Sequence, residues 1–291
     1  MSDEPLAPGL YLVSTPVGNL EDITLRALRV LRSVDRIACE DTRHTRKLLD
    51  RYGITTPTIS SHEHNEAVRS GQLIEELRGG GRIAVVSDAG TPGISDPGMV
   101  LTGAAIAAGI PVYPVPGPSA LLAGLVGSGL DTERFFFFGF LPSKAGARRT
   151  ALENLAASLQ ETTTVVFYEA PHRIAETLGD LEGVWGAGCR VVLARELTKI
   201  HEEFLRGTVG KIRKQIAGHE SLRGEMVLLV EAPAVTSAGV QAAMSLVKRL
   251  AELEALENLS EKDALKRIAR ERGVSKSELW RELQRERARG R

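Results

Sequence analysis

Four loops rich in glycine and proline carry the residues best placed for chemistry. They are Ser14–Leu20, Ser87–Gly98 (Ser-Asp-Ala-Gly-Thr-Pro-Gly-Ile-Ser-Asp-Pro-Gly), Pro114–Ala120 and Tyr168–Arg173 (Tyr-Glu-Ala-Pro-His-Arg). Each follows a short run that reads as a strand. Loops at the carboxyl ends of strands in one sheet converge on one edge, where α/β proteins bind ligands. Glycine lets backbone approach a ligand closely, and proline holds a loop in shape. Ser119 suits a helix N-cap and can also offer its hydroxyl to a ligand. Acid–base candidates flank these loops. Glu40-Asp41-Thr42-Arg43-His44 ends a strand and opens a helix, and Arg195-Glu196-Leu197-Thr198-Lys199 follows another strand. Position at strand ends marks Arg43, Glu169, His172, Arg173, Arg195 and Glu196 as functional candidates. Glu40 or Asp41 also suits a helix N-terminus, where a negative charge is favoured. The run His201-Glu202-Glu203 reads as an exposed salt-bridged surface.

Several chemistries are excluded by what is missing. No G-x-G-x-x-G and no G-x-x-x-x-G-K-[ST] is present, which argues against a Rossmann dinucleotide site, a Rossmann-type methyltransferase and a P-loop NTPase. No G-x-S-x-G elbow points to a hydrolase. His62 and His64 have metal-ligand spacing but no recognisable third ligand, so no metal is expected. Cys39 and Cys189, the only cysteines, sit in or beside apolar runs and read as buried structural thiols. Two isolated cysteines and an acidic, proline-containing start suggest a cytoplasmic protein without a signal peptide. No apolar run reaches the roughly 18 residues of a membrane span.

The loops need a framework to hold them, and the pattern is α/β. Strands are expected at Gly9–Ser14, Arg36–Cys39, Ile83–Ser87, Val112–Val115, Phe135–Phe138, Thr164–Tyr168, Val191–Ala194 and Met226–Glu231. Helices are expected at Thr24–Ser33, Thr42–Tyr52, Glu66–Arg78, Met99–Ala108, Ala120–Val126, Arg148–Gln160, Ile174–Leu181 and Val209–Ala217. The four consecutive phenylalanines from Phe135 suit a strand buried on both faces. Texture changes at Gly127-Ser128-Gly129 and Ala232-Pro233-Ala234 divide the chain into 1–126, 127–233 and 234–291. After the second change every pattern is helical. Apolar residues stripe Ala238–Asn258, and Ser260 with Asp263 forms a capping box for Glu261–Arg272. Gly273 then separates it from Lys276–Arg285, a helix-turn-helix-like layout.

The 291 residues carry no formal net charge, but the charge is uneven. Residues 262–291 hold eleven Lys and Arg against five acids, an excess of six positive charges that the rest of the chain balances. A basic tail on a slightly acidic body suits contact with nucleic acid, and equally a solvated helical face.

Taken in order, the segments Tyr11–Leu20, Glu40–Arg43, Ser87–Gly98, Pro116–Ala120, Tyr168–Arg173, Ala194–Lys199 and Gly224-Glu225 resemble the tetrapyrrole methylase superfamily, the class III S-adenosylmethionine-dependent methyltransferases. The likeness is closest to its small-subunit ribosomal RNA methyltransferases, and the tail from Ser260 to Leu283 resembles that group's small helical domain. The resemblance implies two α/β domains with S-adenosylmethionine folded in the cleft between them, a small helical C-terminal domain, and a homodimer. It implies methyl transfer to the ribose 2′-hydroxyl of a decoding-centre cytidine of 16S rRNA in the small ribosomal subunit. By matching motif, the cofactor would meet Pro16 and Gly18; Asp88, Ala89, Gly90, Thr91, Ile94 and Ser95; Ser119 and Ala120; Phe167 and Tyr168; Ala194; and Gly224, Glu225 and Met226. A ribose hydroxyl is a poor nucleophile, so a base is sought, and Glu169, His172 and Asp41 are the candidates in that order. Arg43, Arg173 and Arg195, with Glu196 and the tail residues Lys266 and Arg267, would contact or position the RNA.

One departure stands out. The superfamily's small-molecule members carry Gly-Asp-Pro where this chain has Asp88-Ala89-Gly90-Thr91-Pro92. That weighs against a porphyrinoid substrate. A methylase of a porphyrinoid or modified histidine, and a non-enzymatic ribosome-assembly factor, are the competing readings. The first leaves the basic tail without a use, and the second leaves the Gly/Pro cleft without one.

Overall fold

The computed structural model describes residues 5–62, 66–96, 98–217, 224–234 and 260–272, together with 246, 250, 253, 254, 277, 279–281, 283 and 284. His64 and most of the helices expected over Ala238–Asn258 and Lys276–Arg285 lie outside the described residues.

The first sheet is wholly parallel, with order β3-β2-β4-β1-β5. Its strands are β1 (Gly9–Val13), β2 (Arg36–Cys39), β3 (Thr58–Ser60), β4 (Arg82–Val86) and β5 (Val112–Val115). The crossovers are α1 (Leu25–Ser33), α2 (Thr42–Arg51), α3 (Glu66–Arg78) and α4 (Met99–Ala107). Successive strand residues point to opposite faces. Thus Tyr11, Val13, Ile37, Ala84 and Val86 pack with α1 and α2, whereas Leu10, Ala38, Ile83 and Val85 pack with α3 and α4. Two covered faces explain why these strands are apolar throughout. Thr24 caps α1, its side chain accepting from the Ala27 amide, so the helix begins one residue later than the pattern suggests.

The second sheet has order β6-β7-β10-β8-β9, with only β6 and β7 parallel. Its strands are β6 (Phe135–Phe140), β7 (Thr163–Glu169), β8 (Arg190–Arg195), β9 (Glu203–Thr208) and β10 (Met226–Ala232). Three helices, α6 (Ala145–Ser158), α7 (Ile174–Trp185) and α8 (Val209–Ala217), cover one face. The other face meets α5 (Ala120–Ser128), through Leu125 against Val166, Val192 and Val227. The helix that precedes the expected boundary near Gly127 therefore packs on the second sheet. Gly124 and Gly127 permit the approach: a Cβ at Gly127 would lie 2.5 Å from the Phe204 ring.

One sequence expectation is corrected here: β6 is an edge strand, not a doubly buried one, and Phe135 and Phe136 are 43% and 46% exposed. The run His201–Glu203 is exposed and salt-bridged through Glu203 to Arg195, and Glu203 also begins the antiparallel strand β9.

In the tail, α9 (Glu261–Arg272) starts at Ser260, whose hydroxyl accepts from the Asp263 amide at 3.3 Å and bonds the Asp263 carboxylate at 2.6 Å. Leu246, Leu250, Leu253, Leu265, Ile268, Leu279 and Leu283 form a separate small core. Lys266 and Arg267 lie on the outer face of α9.

Candidate functional site

The loop after β1 and the loop after β4 form one unit. Thr15 and Gly90 exchange backbone hydrogen bonds of 2.8 and 3.0 Å, and the Thr15 hydroxyl donates to the Ser87 carbonyl. Thr91 extends the unit: its hydroxyl lies 3.1 Å from the Ser14 hydroxyl and donates to the Pro118 carbonyl at 3.2 Å. Three of the four loops are thereby tied together at the carboxyl edge of the parallel sheet. Ser119 caps α5 by accepting from the Leu122 amide.

The second sheet supplies the opposite wall and meets the first at two places. At one end, Arg195–Lys199 turns back on itself with Glu196 at φ +51° and Thr198 at φ +65°. The Thr198 hydroxyl accepts from the Asn19 amide at 3.0 Å. At the other end, Ser95 comes so near Gly139 that a Cβ there would lie 3.2 Å from the Ser95 Oγ.

Between these contacts lies a cavity of about 570 Å3, within the range of small-molecule sites. Its apolar lining includes Val17, Ile94, Phe140, Tyr168, Leu197, Met226 and Val227. Its charged lining among the described residues is lopsided, with Glu40, Asp88, Asp96, Glu169 and Glu225 against Lys199. Lys199 is itself held by Glu196 at 2.8 Å and Glu225 at 3.1 Å. The Glu196 carboxylate also accepts the Glu225 amide, and the Lys199 bond holds that carboxyl below its usual range. Gly224, at φ +91°, admits the Glu196 side chain where any Cβ would collide with it, 2.3 Å away.

Most of the residues expected at the cofactor site do line the cavity: Asp88, Ala89, Gly90, Thr91, Ile94, Ser95, Ser119, Ala120, Tyr168, Gly224, Glu225 and Met226. Pro16 and Gly18 line an adjoining hollow with His44 and Lys47. Phe167 and Ala194 line neither. Phe167 belongs to the core beneath α6–α8, and Ala194 to the core beneath α5. Alternation along β7 turns Tyr168, not Phe167, toward the cleft.

The expected acid–base residues fare differently. The Glu169 carboxylate is fully buried; it accepts from the Thr177 hydroxyl at 2.6 Å and the Ala170 amide at 2.9 Å, and lies 3.3 Å from Arg173 Nε. Arg173 also donates to the Leu141 and Pro142 carbonyls. This pair fastens the turn into α7. His172 is exposed on that turn and does not line the cavity. Asp41 caps α2, and Arg43 beside it holds its carboxyl down at about 2. Arg195 is engaged by Glu203 at 2.5 Å. Burial pushes the Cys189 thiol up to about 11 and raises the Cys39 thiol, so neither is a ready nucleophile. Among the described residues no group of side chains has the makings of a metal site.

Asp96 and Phe140 are not among the residues expected from sequence, and Leu197 and Lys199 enter there only as members of the run Arg195–Lys199. Asp96 falls in the Ser87–Gly98 loop and carried a visible signal, a second aspartate in a Gly/Pro loop. The others reach the cavity only through folding of the second sheet.

Comparison with known proteins agrees with this architecture. A family model described as Tetrapyrrole (Corrin/Porphyrin) Methylases matches residues 9–213. A Mesorhizobium japonicum protein named Ribosomal RNA small subunit methyltransferase I is 46% identical over 281 residues, covering 96% of this chain and 92% of its own. A Synechocystis protein of the same name is 54% identical over 200 residues, covering 69% and 71%. Among solved structures, uroporphyrin-III-C-methyltransferase from Thermus thermophilus aligns with TM-score 0.54 at 22% identity, over 77% of this chain and 94% of that one. Diphthine synthase aligns with TM-score 0.58 at 15% identity, over 77% and 89%. At these identities the two structures speak to fold alone. No described helix is long and apolar enough to cross a membrane.

Proposed function

The chain belongs to the tetrapyrrole methylase family, whose members are S-adenosylmethionine-dependent methyltransferases, and from that premise we propose that it methylates the ribose 2′-hydroxyl of a decoding-centre cytidine in small-subunit ribosomal RNA. The observation that carries this reading is the near full-length likeness, tail included, to relatives named for that RNA.

The cleft suits the cofactor in shape and charge. S-adenosylmethionine supplies a methyl group already activated by a sulfonium, and it carries a net positive charge. An apolar cavity with an acidic excess favours such a ligand. Asp88–Gly90, Ser119-Ala120 and Gly224–Met226 would hold it, with Tyr168, Leu197 and Val227 offering apolar surface to a purine. The knitted loops keep these groups in place, and alignment of hydroxyl with methyl is the main catalytic task, worth several kcal/mol.

The RNA needs cations, and they lie outside the cleft. Helices α1 and α2 carry Arg26, Arg29, Arg32, Arg43, Arg46, Lys47 and Arg51, with Lys266 and Arg267 on α9. These suit phosphate contact, which positions the duplex without reading its sequence. Arg173 and Arg195, engaged by Glu169 and Glu203, would act by shaping the cleft. A homodimer accounts for exposed apolar side chains on α4 (Met99, Val100, Ile106), α5 (Leu122, Val126) and the edge strand β6 (Phe135, Phe136).

The test is transfer of labelled methyl from S-adenosylmethionine to unmethylated small-subunit particles, followed by nucleoside analysis. Label in 2′-O-methylcytidine supports the reading. Label on a base or on ribosomal protein, or none at all with active particles, refutes it.

A further inference from the structure

Three carboxylates line the cavity from the side of the parallel sheet: Glu40 at the end of β2, Asp88 after β4, and Asp96 farther along the same loop. Their surroundings differ. Asp88 accepts the Asp41 amide at 3.3 Å, and Glu40 has an interaction of its own. Asp96 accepts no hydrogen bond and meets no cation among the described residues.

The backbone holds Asp96 in this position. Ser95 sits at φ +60°, a left-handed conformation uncommon outside glycine. Gly93 at φ +82° and Gly98 at φ +120° bracket the turn. A non-glycine residue in that region is strained and is found where a site needs a particular geometry. Here the strained residue is followed directly by a carboxylate lining the cleft.

The groups around Asp96 leave its charge uncompensated. Glu40 and Asp88 approach from the parallel sheet, and Tyr168 faces it from β7. Lys199 is drawn off to Glu196 and Glu225, and Glu169 is locked with Arg173. Burial, then repulsion from Glu40 and Asp88, pushes the Asp96 carboxyl up to about 6.

Resting on the methyl transfer proposed above, we propose that Asp96 is the group that accepts the proton of the ribose hydroxyl. The hydroxyl oxygen forms a bond to the methyl carbon. The carbon–sulfur bond breaks with its electron pair left on sulfur, and the hydroxyl proton passes to the Asp96 carboxylate and then to water. A carboxylate that titrates near neutrality is a stronger base than an ordinary aspartate, and acid–base catalysts work best with a pKa near the operating pH. The cation brought by the cofactor draws this pKa down, so the ionised form is present at neutral pH.

The test uses the full-length protein with unmethylated small-subunit particles, comparing wild type with Asp96→Asn and Asp96→Glu. Single-turnover rates are measured from pH 5 to 9 with S-adenosylmethionine saturating, and its affinity is measured separately by calorimetry. The wild-type rate is expected to fall on the acid side with a midpoint at or below about 6. Asp96→Asn is expected to lose this acid limb and about 10²–10⁴ in rate at saturating cofactor; Asp96→Glu is expected to restore part of the rate. Calorimetry near pH 6, in buffers of different ionisation heat, is expected to show proton release on cofactor binding in wild type and less in Asp96→Asn. A substituted protein that keeps the acid limb, or turns over within threefold of wild type, overturns the proposal. So does loss of cofactor affinity with an unchanged pH profile, which would make Asp96 an anchor for the cation. If wild type itself fails to methylate ribose, the underlying reading fails instead, and the two failures are distinct.

Discussion

The two walls of the cleft treat their carboxylates in opposite ways. On the second-sheet side every buried acid among the described residues is matched. Glu169 has a hydroxyl, an amide and Arg173, and Asp180 has Arg148 at 2.6 Å and Arg149 at 2.5 Å. On the parallel-sheet side Asp96 stands beside Glu40 and Asp88 and meets no arginine or lysine among the described residues. The first arrangement stiffens a wall. The second leaves negative charge facing a cavity, which is costly to the apo protein and useful to a cationic ligand. An ionisable group whose charge is unpaid for in the fold is the stronger candidate for chemistry.

Removing Arg148 tests the matched side most severely. Its side chain is 2% exposed and joins Asp180 and Glu176 across α6 and α7. Arg148→Met leaves Asp180 with Arg149 alone, and a loss of about 3–5 kcal/mol is expected in urea denaturation. A loss below about 1 kcal/mol would mean that the wall does not depend on the pair.

Gly224→Ala attacks the seam between the walls. It places a Cβ at φ +91° against the Glu196 carboxylate and must disturb the Lys199 bonds. A tenfold or greater loss of S-adenosylmethionine affinity is expected, with about 1–3 kcal/mol of stability. Unchanged affinity would remove the Glu196–Lys199–Glu225 group from the site.

The sharpest contrast is in pH. The folded pKa of Asp96 is raised, so its ionisation costs stability; that cost is absent below the ordinary aspartate pKa near 3.8 and complete above about 6. Asp96→Asn should therefore melt a few degrees above wild type at pH 8, with the difference fading between about pH 6 and 4. Asp180 is shifted the other way. Burial opposes its charge, but the bonds from Arg149 and Arg148 prevail and lower its pKa. Its stabilisation is present above pH ~4 and is lost as pH falls through the lowered folded value. Equal melting of wild type and Asp96→Asn across this range would erase the distinction between the walls.

Ser119→Ala is the mildest test. It removes the acceptor for the Leu122 amide at the start of α5, and about 1 kcal/mol is expected. A larger fall in cofactor affinity than in stability would assign the hydroxyl to the ligand as well.

The parallel sheet was the more legible half of the sequence. Arg36–Cys39 stands out because it is buried on both faces, and Val112–Val115, although at an edge, stands out as a short apolar run between Gly109 and Gly117. Glu66–Arg78 and Val209–Ala217 are equally plain as helices. The edges were harder. β3 is three residues long, and β9 contains Arg206 and Gly207, so neither shows an apolar alternation. Phe135–Phe138 misled because composition does not reveal whether a strand lies at an edge. The same limit applies to the acids. Glu169 ends a strand and Asp96 lies in the loop after one, each near a proline. What separates them is Thr177 and Arg173 closing on one and, among the described residues, no cation or hydrogen-bond donor closing on the other, which depends on how the turn into α7 folds back.

The most direct measurement is calorimetric titration of the full-length protein with S-adenosylmethionine, repeated on Gly224→Ala. The account predicts one saturable site per chain in wild type and a weakened one in the variant. A folded protein that takes up no S-adenosylmethionine, alone or with small-subunit particles, would contradict it.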